Sequence, residues 1–316
     1  MMASSPLVLP ALLALVACTP ERGDVFGEGG QAARPAVAQG WYHDYFTPTY
    51  AVCGEPTDYQ PYTYLWRTSL SEPEGERLVS DACIDAMFAD LKVDWEELGE
   101  LSEFQWEVYW SVWLSTYALL AWPMGTVDDL RDPVDEETME TILSRLTLYD
   151  TSKEPPWVRE PLIAELERLS AVTGETRVNA LVYNLVMSSF LRTSFLEPEG
   201  APEGALAMID WDTRTLWFWG GLLYGNMLGT TTLVHEAGHL WLDMPHVACP
   251  DLDTTNSVEG LVICDQTWEG AFGYQFGVAW LMAQHHDWDW EDLDDTHDWS
   301  WLSDPFEAYL WLILEP

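Results

Sequence analysis

The chain has 316 residues, 48% of them apolar, and a formal net charge of −40. That length accommodates one large domain or two moderate ones, and the apolar share supplies a substantial core, which excludes a wholly disordered chain. The charge excludes nucleic acid and anionic membrane surfaces as electrostatic partners, because both are polyanions.

In chain order, the first feature is an apolar run, Pro6 to Ala17 (PLVLPALLALVA). It is too short to span a bilayer as a helix but fits the core of a secretory signal. The MMASS before it carries no Lys or Arg. Leu15-Val16-Ala17-Cys18 resembles the lipobox of bacterial lipoproteins. The resemblance implies cleavage before Cys18, a lipid on Cys18, and an exported protein held on a bacterial membrane, periplasmic or at the cell surface. Membrane contact is then expected through the anchor only. Val108 to Trp122 comes nearest to a further apolar span, but its Trp, Tyr and Ser content suits a buried helix. Residues 1–17 thus read as a signal peptide. Residues 18–40, rich in Gly, Pro and Ala, read as a flexible tether.

Residues 41–200 read as a mainly helical region. Ser80-Asp81 is expected to cap a helix running to Leu98, and Ser102 the next, which ends before Pro123. Val134–Leu148, Pro156–Ala171 and Thr176–Leu191 continue the helical spacing of apolar residues. From residue 201 the composition changes, and residues 201–316 read as the region that carries the chemistry; 41–316 is also consistent with one domain. Ala205–Asp210, a turn at Trp211–Arg214 and Thr215–Trp219 predict a β-hairpin. Thr230–Leu242 and Thr267–Gln284 predict two further helices. The acidic, aromatic tail His285–Trp301 lacks the glycine-bearing loop of an EF-hand and reads as a solvated loop.

With Cys18 lipidated, Cys53, Cys83, Cys249 and Cys264 remain. An even number in an oxidising compartment points to two disulfides, with three possible connectivities. Cys53–Cys83 and Cys249–Cys264 are favoured, since each closes a short loop within one region. The spacing lacks the paired C-x-x-C elements of a cysteine-rich zinc site. The 19 Trp residues suit either core filling or an aromatic surface that stacks on sugars or peptides.

The strongest motif is His235-Glu236-Ala237-Gly238-His239. On a helix, histidines four apart differ by only about 40° in direction, so both imidazoles leave one face and can reach one ion at about 2.0–2.1 Å. Glu236 lies off that ligand pair, where its carboxylate can reach a metal-held water. H-E-x-x-H on a helix resembles the signature of the zincin-type zinc metallopeptidases. The resemblance covers residues 230–274. It implies a Zn2+ cofactor held by His235 and His239, Glu236 as general base, and hydrolysis of peptide bonds in a peptide or protein substrate.

Three residues compete for the third ligand. Glu269 comes first: Gln266-Thr267-Trp268-Glu269-Gly270-Ala271-Phe272-Gly273 resembles the G-T-x-D-x-x-Y-G motif of aspzincins, with Glu for the ligating Asp and Phe272 for the Tyr. Its distance from the motif also suits gluzincins. His246 is second: it lies one residue beyond the third histidine of the metzincin pattern H-E-x-x-H-x-x-G-x-x-H, and Leu242 holds the Gly position. Asp265 is third, as a ligand or as the partner that orients a histidine. A Cys249–Cys264 bridge would bring His246 and Asp265 beside the site. By analogy with zincins, Leu216–Trp219 is expected to offer substrate an edge strand.

The fold class expected is therefore α+β and predominantly helical, with a zincin-like active-site helix beside a small β-hairpin or sheet. The competing reading is a non-catalytic, acidic, Trp-rich surface lipoprotein that binds peptide or carbohydrate. There is no Lys-bearing phosphate loop, no G-x-S-x-G elbow and no Rossmann fingerprint.

Overall fold

The computed structural model describes residues 42–55, 80–90, 116–132, 134, 135, 137, 160–189, 192–194, 207–210, 215–218, 227–242, 246–250, 260, 262–267, 270–285 and 313–315. The signal peptide, Cys18, the tether, most of the helix expected at Val134–Leu148, Glu269 and the acidic tail after His285 lie outside them.

The architecture is helical α+β. Six helices carry labels: α1 Phe46–Cys53, α2 Asp81–Asp90, α3 Glu160–Thr173, α4 Val178–Ser189, α5 Met227–Leu242 and α6 Ala271–His285. A further helical stretch occupies 116–121 and ends ahead of Pro123, where the missing amide hydrogen stops it. Ser80 caps α2 by accepting the Cys83 amide at 3.1 Å. Helix α3 closes on Gly174, whose φ of 78° is easy only for a residue without Cβ.

The core lies where α3, α4, α5 and α6 meet. Helix α5 packs on α6 and on α4, and α6 packs on α3. Residues 178–188, 230–239 and 270–282 are all buried. Residues 178–188 and 270–282 are mostly apolar, which a helix surrounded by others requires, whereas 230–239 also buries Thr230, Thr231, Thr232, His235, Glu236 and His239. Gly238 of α5 faces α6 closely: a Cβ there would stand 3.4 Å from the Ala271 Cα. The α1 segment is tied to α4 by Asn184. Its Oδ1 accepts the Tyr45 and Phe46 amides, both at 2.8 Å, and its Nδ2 donates to the Tyr42 hydroxyl at 3.2 Å. Arg177 lies over the Phe46 ring.

Two three-stranded sheets flank the helices. In the first, β1 (Arg192–Ser194), β2 (Ala207–Asp210) and β3 (Thr215–Phe218) run in the order β1-β3-β2. The expected hairpin is β2–β3, antiparallel with Asp210 opposite Thr215. β3 is also paired in parallel with β1, Thr193 opposite Leu216. It is therefore the central strand, and the expectation that Leu216–Trp219 presents an edge is overturned. Helix α5 packs against β2 instead.

In the second sheet, β4 (Val247–Ala248), β5 (Val262–Thr267) and β6 (Ile313–Glu315) run in the order β4-β5-β6. The helix predicted from Thr267 begins at Ala271, because the chain remains a strand through Thr267. β5 is held there on both sides, antiparallel to β4 and parallel to β6.

Both favoured disulfides are present, Cys53–Cys83 joining α1 to α2 and Cys249–Cys264 joining β5 to the residue after β4. They fit an oxidising, exported environment. No helix among the described residues is long and apolar enough to cross a membrane.

Candidate metal centre

His235 and His239 leave one face of α5 one turn apart, as their spacing requires. The chain then returns through His246 at the start of the β4–β5 ladder. The Nε2 atoms of the three imidazoles converge: 3.1 Å between His235 and His239, 3.1 Å between His239 and His246, and 3.2 Å between His235 and His246. All three side chains are buried. Among the described residues, they form a group able to hold a metal ion.

Hydrogen bonding alone does not account for this triangle. Each ring nitrogen carries either a proton or a lone pair, so three mutually adjacent ones always leave at least one like pair face to face. A cation among three lone pairs removes the conflict. Nitrogens bound to a tetrahedral ion at about 2.1 Å stand about 3.4 Å apart, within a few tenths of an ångström of the spacing here. Imidazole donors suit zinc, copper, iron or nickel.

Surrounding groups fix the rings. His239 stands nearly perpendicular to both other imidazoles. Phe272, from the first turn of α6, stacks on His246 and packs obliquely against His235 at 4.4 Å between centroids. The His246 Nδ1 lies 2.7 Å from Asp265 Oδ1. The other carboxylate oxygen, Oδ2, accepts the Phe272 amide at 2.7 Å and so satisfies one of the orphan donors that begin α6. Gly270 has no room for a Cβ, which would overlap the Asp265 carboxylate. In the core beside the site, Gln275 donates to the Thr231 hydroxyl at 3.3 Å.

Burial dominates the electrostatics. Desolvation holds His235 well below the usual imidazole range, with the neighbouring His239 and His246 adding to the effect. A neutral His235 is ready to ligate. Glu236 is fully buried, and desolvation pushes its carboxyl up to about 8. A cation bound nearby acts in the opposite direction, because it favours the carboxylate.

Of the three residues in contention for the third position, the structure brings His246 to His235 and His239, and places Asp265 on the far side of the His246 ring. Glu269 lies outside the described residues. Phe272 was visible in sequence only as a departure from an aspzincin Tyr; here it packs on two of the imidazoles. Gly270 and Gln275 carry no signal in one sequence. Of the tryptophans, Trp280 is fully buried and Trp122 donates its Nε1 to the His285 carbonyl at 3.0 Å, which are core and rim roles.

No family model, no curated protein and no solved structure matches the chain. The class rests on the fold and site themselves: a helical α+β protein with a buried three-histidine group, two of the three supplied by a core helix.

Proposed function

We propose that the protein is an exported zinc metallopeptidase, lipid-anchored through Cys18, that hydrolyses peptide bonds with Glu236 as general base. The observation that carries this reading is the convergence of His235, His239 and His246 with Glu236 next to the first of them. Three protein ligands are the pattern of catalytic zinc, which keeps a fourth position for water or substrate, whereas structural zinc is closed by four. A purely structural site also has no need of Glu236.

His235, His239 and His246 would hold the ion, and zinc supplies an activated water and a polarised carbonyl. The carboxylate of Glu236 takes the water's proton and delivers it to the leaving amine. The buried surround keeps bulk water from competing for these groups.

The test is a peptide-library digest by the zinc-supplied full chain, read by mass spectrometry, beside Glu236→Gln. Cleavage that a chelator stops, and that falls by about 10²–10⁴ in the variant, is the expected result. Equal cleavage by both proteins would refute the assigned role.

A further inference from the structure

The three imidazoles do not set their own orientation. His246 is the one ligand that comes from outside α5, so its ring must be aimed by something else. The only carboxylate recorded against it among the described residues is Asp265, 2.7 Å from Nδ1. We infer that Asp265 is a positioning residue, which keeps His246 in the Nδ1–H tautomer and so turns a lone pair on Nε2 towards His235 and His239. This rests on the metal-centre reading above.

The argument turns on hydrogen-bond polarity. Asp265 meets two nitrogens at once, the His246 Nδ1 at Oδ1 and the donating Phe272 amide at Oδ2. The Phe272 N–H can only donate, so that oxygen is committed to the start of α6. A carboxylate has two acceptor oxygens and satisfies both partners. An amide of the same shape has one acceptor and one donor, and fails in either orientation. With its oxygen on Phe272, its NH₂ faces His246 Nδ1. The imidazole must then accept there and carry its proton on Nε2, where the lone pair is needed. With its oxygen on His246, its NH₂ opposes the Phe272 amide, donor against donor. The residue also sits tight against the start of α6: its carboxylate fills the space that a Cβ on Gly270 would take. Asp265 is buried, so water does not replace the lost bond. The same side chain thus couples the third ligand to the first turn of α6, whose Phe272 ring stacks on that ligand.

The experiment compares the full chain with Asp265→Asn. Zinc affinity is measured by competition with a chromophoric chelator, and histidine tautomers by ¹⁵N NMR of the histidine-labelled protein. We expect zinc binding to weaken about 10- to 100-fold, the range seen when the partner of a ligating histidine is removed. We also expect the His246 Nδ1–H signal of the wild type to be replaced by Nε2–H in the metal-free variant. Zinc affinity within twofold of wild type would overturn the positioning role while leaving the metal centre standing. A wild type that binds no zinc removes the metal centre, and with it the role as stated. If the variant does not fold, the wild type decides: Nδ1–H on His246 supports the inference and Nε2–H overturns it.

Discussion

Opening the Cys249–Cys264 bridge separates what holds the fold from what holds the site. The bridge closes a 15-residue separation, and chain entropy assigns such a loop about 3 kcal/mol. Cys53–Cys83 closes 30 residues and is worth about 3.5 kcal/mol on the same footing. The Cys→Ala pair at either bridge should therefore lower the unfolding free energy by similar amounts, read from guanidinium denaturation. Zinc affinity should respond differently. His246 lies three residues before Cys249, and Asp265 directly follows Cys264. Besides the bridge and the His246–Asp265 contact, the described residues of the two segments are joined by a ladder of two residue pairs, Val247 with Cys264 and Ala248 with Val262, and by the Gly260 amide, which donates to the Cys249 carbonyl at 2.9 Å. Freeing the loop at 249–264 lets the third ligand detach, and the loss is bounded by the closure term, about 150-fold at most. We expect a loss of tenfold or more at this bridge, and a change within about twofold at Cys53–Cys83, which joins α1 to α2, neither of which carries a site residue. Equal losses of zinc affinity at both bridges, or none at Cys249–Cys264 despite the lost stability, would refute the idea that this bridge assembles the third ligand.

Gly270→Ala drives a methyl group into the Asp265 carboxylate; it should cost about 1–3 kcal/mol in denaturant and weaken zinc binding along with it. Asn184→Ala removes the side-chain acceptor of the Phe46 amide and one of the two acceptors of the Tyr45 amide, and should cost about 2 kcal/mol with zinc affinity unchanged, so a parallel loss of metal would contradict the independence of this tie from the site. Cys18→Ser should release the protein from the membrane fraction of an expressing bacterium; unchanged membrane retention would remove the lipid anchor from the account.

The motif helix was legible because its chemistry is local: two histidines at i and i+4, with apolar flanks, need a helix and little else. Ser80 and Pro123 marked helix ends for equally local reasons, and the cysteine spacing sufficed for both bridges. What escaped was long-range. Nothing near Arg192–Ser194 announces that it will pair with Thr215–Phe218, so β3 reads as an edge when it is central. Val262–Thr267 carries three β-branched residues and a disulfide cysteine, yet its strand state depends on β4 and β6, one of them nearly fifty residues away. His246 misses the metzincin spacing by one residue, and α5 alone cannot place it. The β4–β5 ladder, the bridge and Asp265 together carry it back to the motif. Asn184 and Gly270 do their work only through partners distant in sequence or hidden by the fold.

The central claim is that His235, His239 and His246 hold a metal ion, and elemental analysis of the purified full chain tests it most directly, beside a variant with His235 and His239 both changed to Ala. About one zinc per chain, absent from the variant, is the predicted result. No metal in either protein after zinc has been supplied would contradict the account and leave the three imidazoles as core residues.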